Sequence, residues 1–193
     1  MEITNSNLSS NLANKLFFLF KFMESPFQVG SVTPSSKFLA AKMLEPLDWS
    51  SIRSIAELGA GTGAFTKYIH SVKHPDCKAA VFEKDNEMRC KLKTCYPEMM
   101  YFEDALTLSE QLQSAEMGSL DAVVSGLPFA LFETSVRKRI IDVVIDSLKP
   151  NGIFVAFQYS QQMKTLLKNN FSKVEISFVP LNLPPAFVYV CHK

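Results

Sequence analysis

Ser54-Ile55-Ala56-Glu57-Leu58-Gly59-Ala60-Gly61-Thr62-Gly63 carries an apolar strand directly into three glycines separated by single residues. Glycine opens backbone dihedrals that other residues avoid and lets a ligand approach the main chain. The first strand-to-helix turn of a doubly wound α/β sheet requires this freedom. The spacing also discriminates between ligands. A dinucleotide fingerprint reads G-x-G-x-x-G and holds a pyrophosphate at a helix N-terminus, whereas here the third glycine arrives one residue early. Glu57, two residues before the first glycine, would repel a pyrophosphate but suits a ligand bearing an amino acid and a sulfonium. The turn therefore predicts S-adenosylmethionine, held by Glu57, Gly59, Ala60, Gly61 and Gly63. A glycine-rich turn without a ligand is the alternative.

The rest of the chain bounds the answer. With 193 residues, 47% of them hydrophobic, it is long enough for one well-buried domain and short for two. A net charge of +1 lacks the basic footprint of a nucleic-acid binder. Cys77, Cys90, Cys95 and Cys191 form no C-x-x-C pair and have no histidine at metal-ligand spacing, so reduced thiols and no metal are expected. No signal-peptide pattern opens the sequence, and no uncharged apolar run approaches the ~20 residues that span a bilayer. A cytoplasmic protein, soluble or peripheral at the inner face of the membrane, is the expectation.

Outward from the glycine turn, helical and strand patterns alternate as in a parallel sheet. Strands are expected at Ala79–Glu83, Met99–Glu103, Leu120–Ser125 and Ile153–Tyr159, with helices at Ala64–Val72, Asn86–Tyr96, Leu108–Gln113 and Glu133–Leu148 between them. A helix at Gln162–Asn169 and strands Val174–Val179 and Phe187–Cys191 complete a seven-stranded, mostly parallel, Rossmann-like sheet with a C-terminal antiparallel hairpin. Two helices precede the first strand: Leu12–Met23, apolar over most of its circumference, and a second from the Thr33-Pro34 start signal to about Leu47. Residues 1–10 are expected to form a flexible tail and 11–193 a single domain, with 11–50 as a helical cap over the site.

Glu83 ends the second strand near the offset of about 20 residues at which this fold places an acid on ribose hydroxyls, with Lys84 beside it. Its two oxygens could hold a vicinal diol. Asp104, followed by Ala105, closes the third strand at the edge where ligands bind. It could accept from an adenine amino group or serve as an N-cap. The fourth strand runs into Ser125-Gly126-Leu127-Pro128-Phe129, where a transferable methyl would face its acceptor. Enzymes that methylate planar base amines carry Asn or Asp at the start of this segment. Serine here leaves that grip incomplete.

Phe22 to Leu39, the glycine turn, Val123-Val124-Ser125-Gly126-Leu127-Pro128, Phe157-Gln158-Tyr159 and Leu181-Asn182-Leu183-Pro184-Pro185-Ala186 together resemble the bacterial phospholipid N-methyltransferases, relatives of the ribosomal RNA adenine dimethylases. The resemblance covers roughly residues 15 to 190. It implies methyl transfer to the amino group of phosphatidylethanolamine-type lipids, with Ser31, Thr33 and Ser35 in a segment closing over the cofactor. Asp104 and Ala105 would contact adenine, and Ser125, Gly126 and Leu127 would wall the transferable methyl. Ser125 and Tyr159 are the catalytic candidates. Phe18, Phe22, Pro128, Phe129, Tyr159 and Asn182 are the candidates for acceptor binding, although a core role for Tyr159 fits its position too. By the same resemblance the helix Leu12–Met23 helps the enzyme sit on a bilayer, with capping of the domain's hydrophobic edge as the alternative; the N-terminal region offers only Lys15, Lys21, Lys37 and Lys42 to attract anionic lipid, at about 1 kcal/mol each, so weak peripheral contact is expected. The histidines, His70, His74 and His192, fall outside the expected pocket, so no general base is assigned. The rivals are methylation of an RNA base, methylation of a small molecule, and cofactor binding without turnover.

Replacing Phe18 and Phe22 by Ser should weaken sedimentation with phospholipid vesicles and leave cofactor affinity intact. Unchanged sedimentation would remove the lipid role of this helix.

Overall fold

Period-two alternation sorts the apolar strand residues onto two faces of a single sheet, and helices cover both faces. The computed structural model describes residues 34–193. The expected helix Leu12–Met23, with Phe18 and Phe22, and the candidates Ser31 and Thr33 lie outside the described residues. Strand β1 (Ser54–Leu58) is buried at all five positions. On one side it pairs in parallel with β2 (Lys78–Phe82), which pairs with β3 (Met100–Phe102). On the other side come β4 (Leu120–Ser125) and β5 (Leu148–Gln158), again parallel. Antiparallel β7 (Ala186–His192) and β6 (Lys173–Val179) finish the sheet in the order β3-β2-β1-β4-β5-β7-β6. The seven strands and the terminal hairpin are those expected.

Ile55, Val124, Val155, Phe157 and Val188 face one layer with α1 (Pro34–Leu44), α2 (Ala64–Val72) and Leu92 of α3 (Asn86–Cys95). Ala56, Val123, Phe154, Ala156 and Tyr189 face the other, with α4 (Leu108–Ser114), α5 (Thr134–Ser147) and α6 (Lys164–Asn170). Helix α1 buries Leu39, Ala40, Met43 and Leu44, an i, i+1, i+4, i+5 stripe. It stops at Leu44, short of the expected Leu47. Pro46 has no N–H to continue the ladder, and the Trp49 indole donates to the Leu44 carbonyl at 3.2 Å, satisfying one of the carbonyls that a helix end leaves over.

Strand β5 also begins earlier than expected. Leu120 pairs with Leu148 and Ala122 with Ile153, so Lys149–Gly152 bulges out of a strand already paired, with Asn151 at a left-handed φ of 64°. That bulge delivers Lys149 to Asp121, Nζ to Oδ1 at 2.7 Å. Asp121 Oδ2 accepts from the Arg53 and Ser54 amides, each at 2.9 Å, and from Ser54 Oγ at 3.0 Å. One carboxylate thus joins the foot of β1 to β4 and β5. Partial burial works against its charge, but the Lys149 ammonium, the Arg53 amide and the Ser54 hydroxyl outweigh it and hold the carboxyl below its ordinary 3.8.

The parallel strands β1–β5 all end at one edge. Because Gln158 pairs with Phe187 and Val179 with Ala186, the β6–β7 connection rises from that same edge. Asp121→Ala should lower stability by about 2 kcal/mol, a fall of about 5 °C in the unfolding midpoint. A depressed carboxyl stabilises above its unfolded pKa and loses that contribution as pH falls through the folded value. The gap between variant and wild type should therefore narrow in acid, which thermal melts from pH 7 down to 3 would check.

Candidate active site

The glycine turn stays tied to the sheet as it leaves it: the Gly59 and Ala60 amides both donate to the Phe82 carbonyl, at 2.8 and 3.2 Å. Gly61 and Gly63 adopt left-handed φ values of 54° and 85° for different reasons. A Cβ on Gly63 would sit 2.4 Å from Leu92, whereas one on Gly61 would meet nothing within 4 Å. Gly63 is needed for packing, and Gly61 leaves an open face. Gly63 also starts α2 with no side-chain cap, so no capping side chain satisfies the amides of its first turn.

Glu57 lies under this turn with 1% of its surface exposed. Thr66, in the first turn of α2, donates its hydroxyl to Oε2 at 2.6 Å. Among the described residues Oε1 has no hydrogen-bond partner. Burial pushes the carboxyl up to about 7 against the pull of Thr66, and the nearby Glu83 charge adds to the rise. A buried, half-satisfied carboxylate beside an open glycine face fits the cationic amino-acid end of S-adenosylmethionine, since an unpaired buried polar atom carries its full desolvation cost.

Glu83 clamps the same turn. Its Oε2 accepts from the Gly61 amide at 2.6 Å and its Oε1 from Asp85 N–H at 2.8 Å. Each oxygen keeps a second lone pair, and the side chain remains partly exposed. Strand β2 formally ends one residue earlier than expected, at Phe82, although the Glu83 amide still donates to Phe102 O at 3.0 Å. Lys84 is exposed beside it. Asp104 Oδ1 accepts from Leu106 N–H at 2.9 Å and caps the 3-10 turn Ala105–Thr107. The capping alternative is present, on an exposed residue at the ligand edge.

At the exit of β4, the Gly126 amide donates to Leu58 O at 2.8 Å, and a Cβ at 126 would come within 2.6 Å of the Gly59 carbonyl. The two turns touch backbone to backbone. Ser125 is fully buried and its Oγ accepts from the Leu127 amide at 3.2 Å, so its hydroxyl shapes the turn. Gln158, 5% exposed, donates Nε2 to Leu127 O at 3.0 Å and to Phe157 O. Beside this segment opens a cavity lined by Leu127, Pro128, Ala130, Leu131, Phe157, Gln158, Tyr159 and Ser160. Tyr159 stands edge-on to Phe157, ring centroids 5.6 Å apart. Burial drives its phenol well above the ordinary tyrosine range, against a hydrogen bond with the Asn182 side chain. It is an O–H at any working pH, and so a donor rather than a base.

Leu127, Pro128 and Tyr159 thus stand together on the cavity wall, next to the glycine turn. Two acceptor candidates do not. Phe129 is fully buried in the opposite layer, in edge contact with Phe132 at 6.1 Å, because the 3-10 turn Phe129–Leu131 swings it away. Asn182 is 4% exposed and donates to Pro184 O at 2.6 Å, organising its own loop. Ser35 falls in the first turn of α1. His70, His74 and His192 face Glu98, Asp76 and Glu175, away from the cavity lining. Thr66 and Gln158 were missed as candidates. Each is a polar residue inside an apolar pattern, Thr66 on a buried helix face and Gln158 within Ile153–Tyr159, and that exception was the available signal. Among the described residues no cluster of His, Cys, Asp and Glu could hold a metal ion.

The sheet order, the glycine turn under a buried acid and the convergence of both turns at the switch between β1 and β4 define the class I methyltransferase architecture. Residues 20–178 match the methyltransferase small domain family. The chain is 34% identical over 184 residues to an ornithine lipid N-methyltransferase from Singulisphaera acidiphila, an alignment covering 92% of this chain and 96% of that one. The N-methyltransferase NodS from Bradyrhizobium japonicum WM9, solved with S-adenosyl-L-homocysteine, superposes with a TM-score of 0.70 at 14% identity, over 92% of this chain and 98% of NodS. Precorrin-6y C5,15-methyltransferase from Geobacter metallireducens GS-15 gives 0.62 at 15% identity, over 80% and 88%. The chain belongs to the methyltransferase small domain family and is an S-adenosylmethionine-dependent methyltransferase.

A raised carboxyl keeps its proton until pH rises through about 7, and the stability it contributes is full below the unfolded value of 4.5 and is lost as pH rises from there through the folded value. A cationic ligand favours the ionised form, so binding of S-adenosylhomocysteine near pH 6.5 should expel a proton and tighten as pH rises toward 7 and beyond. Calorimetry in buffers of different ionisation enthalpy would read this release. Glu57→Gln should abolish it and cost about 10- to 100-fold in affinity, the scale of a hydrogen bond to a charged group.

Proposed function

We propose that this enzyme methylates the amino nitrogen of a lipid head group, of the phosphatidylethanolamine or ornithine-lipid type. The observation that carries this reading is the acceptor wall. Where base-amine methyltransferases present Asn or Asp, Ser125 is buried and turned into its own loop, and the Leu127 carbonyl already accepts from both Gln158 and the Phe129 amide. The rest of the wall is apolar except for the Tyr159 hydroxyl, Gln158 and Ser160. Such a wall suits a flexible aliphatic amine attached to acyl chains better than a planar heterocycle. The net charge of +1 favours the same choice over RNA, and the lipid N-methyltransferase among the relatives supports it.

S-adenosylmethionine supplies, when bound, a methyl carbon made electrophilic by its sulfonium. In this reading Glu57, Gly59, Gly61, Gly63 and the first turn of α2 hold the methionine part. Glu83 holds the ribose, and Asp104 with Ala105 the adenine. Gly126 and Leu127 set the wall beside the methyl. Tyr159 donates its proton in a hydrogen bond to an anionic oxygen of the head group, which places the amine without a planar grip. Among the described residues that line the cavity none is a histidine or a carboxylate, and in this reading water takes the ammonium proton.

Incubation of the enzyme with radiolabelled S-adenosylmethionine and, separately, vesicles containing phosphatidylethanolamine, vesicles containing ornithine lipid, ribosomal RNA and small amines would test the proposal. Label is expected in a lipid fraction. Label confined to RNA or to small amines would overturn it.

A further inference from the structure

The β6–β7 connection, Pro180 to Pro185, turns its polar residue inward and its apolar residues outward. Leu181 and Leu183 are 69% and 82% exposed, and Asn182 between them is 4% exposed. A single exposed leucine is ordinary, but this inversion is built. Asn182 is held by its bond to Pro184 O and by the Tyr159 phenol, and that anchorage leaves both leucines in water.

The tip also stands in a telling place. It rises from the sheet edge at which β1–β5 end, and its anchor Tyr159 lines the acceptor cavity. Leu131, also on that cavity's wall, is 37% exposed, and Phe178 at the end of β6 is 54% exposed. From Ile176 to Val190 the sequence has no charged residue, in a chain that is 20% charged. Nothing there would repel an anionic surface or need to shed a charge's hydration. Among the described residues no helix is long and apolar enough to cross a membrane.

We propose that Leu181 and Leu183 form a bilayer-docking tip, which enters the interfacial layer of a phospholipid membrane and opens the acceptor cavity toward it through the Asn182–Tyr159 link. The proposal rests on the lipid-acceptor reading above. Two leucines on a narrow loop present far less than the roughly 800 Å² per partner of a stable protein interface, whereas apolar side chains that reach the headgroup and acyl boundary add directly to peripheral binding.

The test uses the full chain. Trp49→Phe removes the single tryptophan, and Leu183→Trp in that background places a reporter at the tip. Should the double variant fail to fold, Leu183→Trp in the otherwise unchanged protein, read by difference, gives the same information. With vesicles of phosphatidylcholine, phosphatidylethanolamine and phosphatidylglycerol, the emission should shift to the blue, and brominated acyl chains should quench most of it. Emission unchanged by vesicles would overturn the proposal. So would a reporter already shielded from iodide in buffer, which would mean that the tip is covered by the chain itself, or by a second copy if the shielding grows with protein concentration. In activity, Leu181→Asp combined with Leu183→Asp should lower methyl transfer to vesicle-borne amino lipid at least 10-fold, and leave transfer to a water-soluble short-chain phosphatidylethanolamine within twofold. Equal loss on both would overturn the docking role. If the wild-type enzyme methylates neither lipid, the acceptor reading fails, while tryptophan quenching still decides whether the tip docks.

Discussion

The contact on which the site depends is the meeting of two backbone turns. The Gly126 amide bonds to the Leu58 carbonyl, and the α-carbon of Gly126 approaches the Gly59 carbonyl so closely that no Cβ would fit. This holds the exit of β4 against the exit of β1 at the point where the sheet order changes direction, the place where doubly wound sheets bind ligands. The two turns, which in the proposed reading carry the donor and acceptor halves of the site, are thereby held together by main chain, without relying on side-chain rotamers. Leu127, which leans on Gly59, and Gln158, which holds the Leu127 carbonyl, extend the same constraint into the acceptor cavity.

Beside that rigid joint the site keeps one electrostatic debt. Glu57 is buried with one oxygen satisfied by Thr66 and the other without a partner among the described residues, so its carboxyl favours the neutral form up to about pH 7. Glu83 faces the same turn from its exposed side, and both of its oxygens accept backbone amides. The two acids illustrate how position under or over a glycine turn decides whether a carboxylate is left with an unpaired buried oxygen or has both oxygens tied to the main chain.

Much of the architecture was legible because it follows from local rules. The alternation of strand and helix reads directly as a parallel sheet, and the early third glycine points to the cofactor class. The misread boundaries came from non-local pairing. Lys149–Gly152 reads as a turn before a strand, and only the partner Leu120 reveals that β5 has already begun at Leu148. Likewise Phe129 reads as a pocket aromatic from its place after Ser125–Pro128, but a single 3-10 turn sends it into the opposite core. Asn182, in a loop rich in proline, carries no local sign that its partners are Pro184 and Tyr159.

The sequence by itself determined the sheet, the glycine turn and the acids at the strand ends, because period, spacing and glycine chemistry act over a few neighbouring residues. The tertiary structure alone decided which side chains meet: Thr66 with Glu57, Gln158 with the Leu127 carbonyl, Tyr159 with Asn182, and two leucines left in water on the β6–β7 connection. Those outcomes depend on strands far apart in the chain arriving side by side, and on the rotation of short turns, where a change of one residue sends a side chain to the opposite face of the sheet.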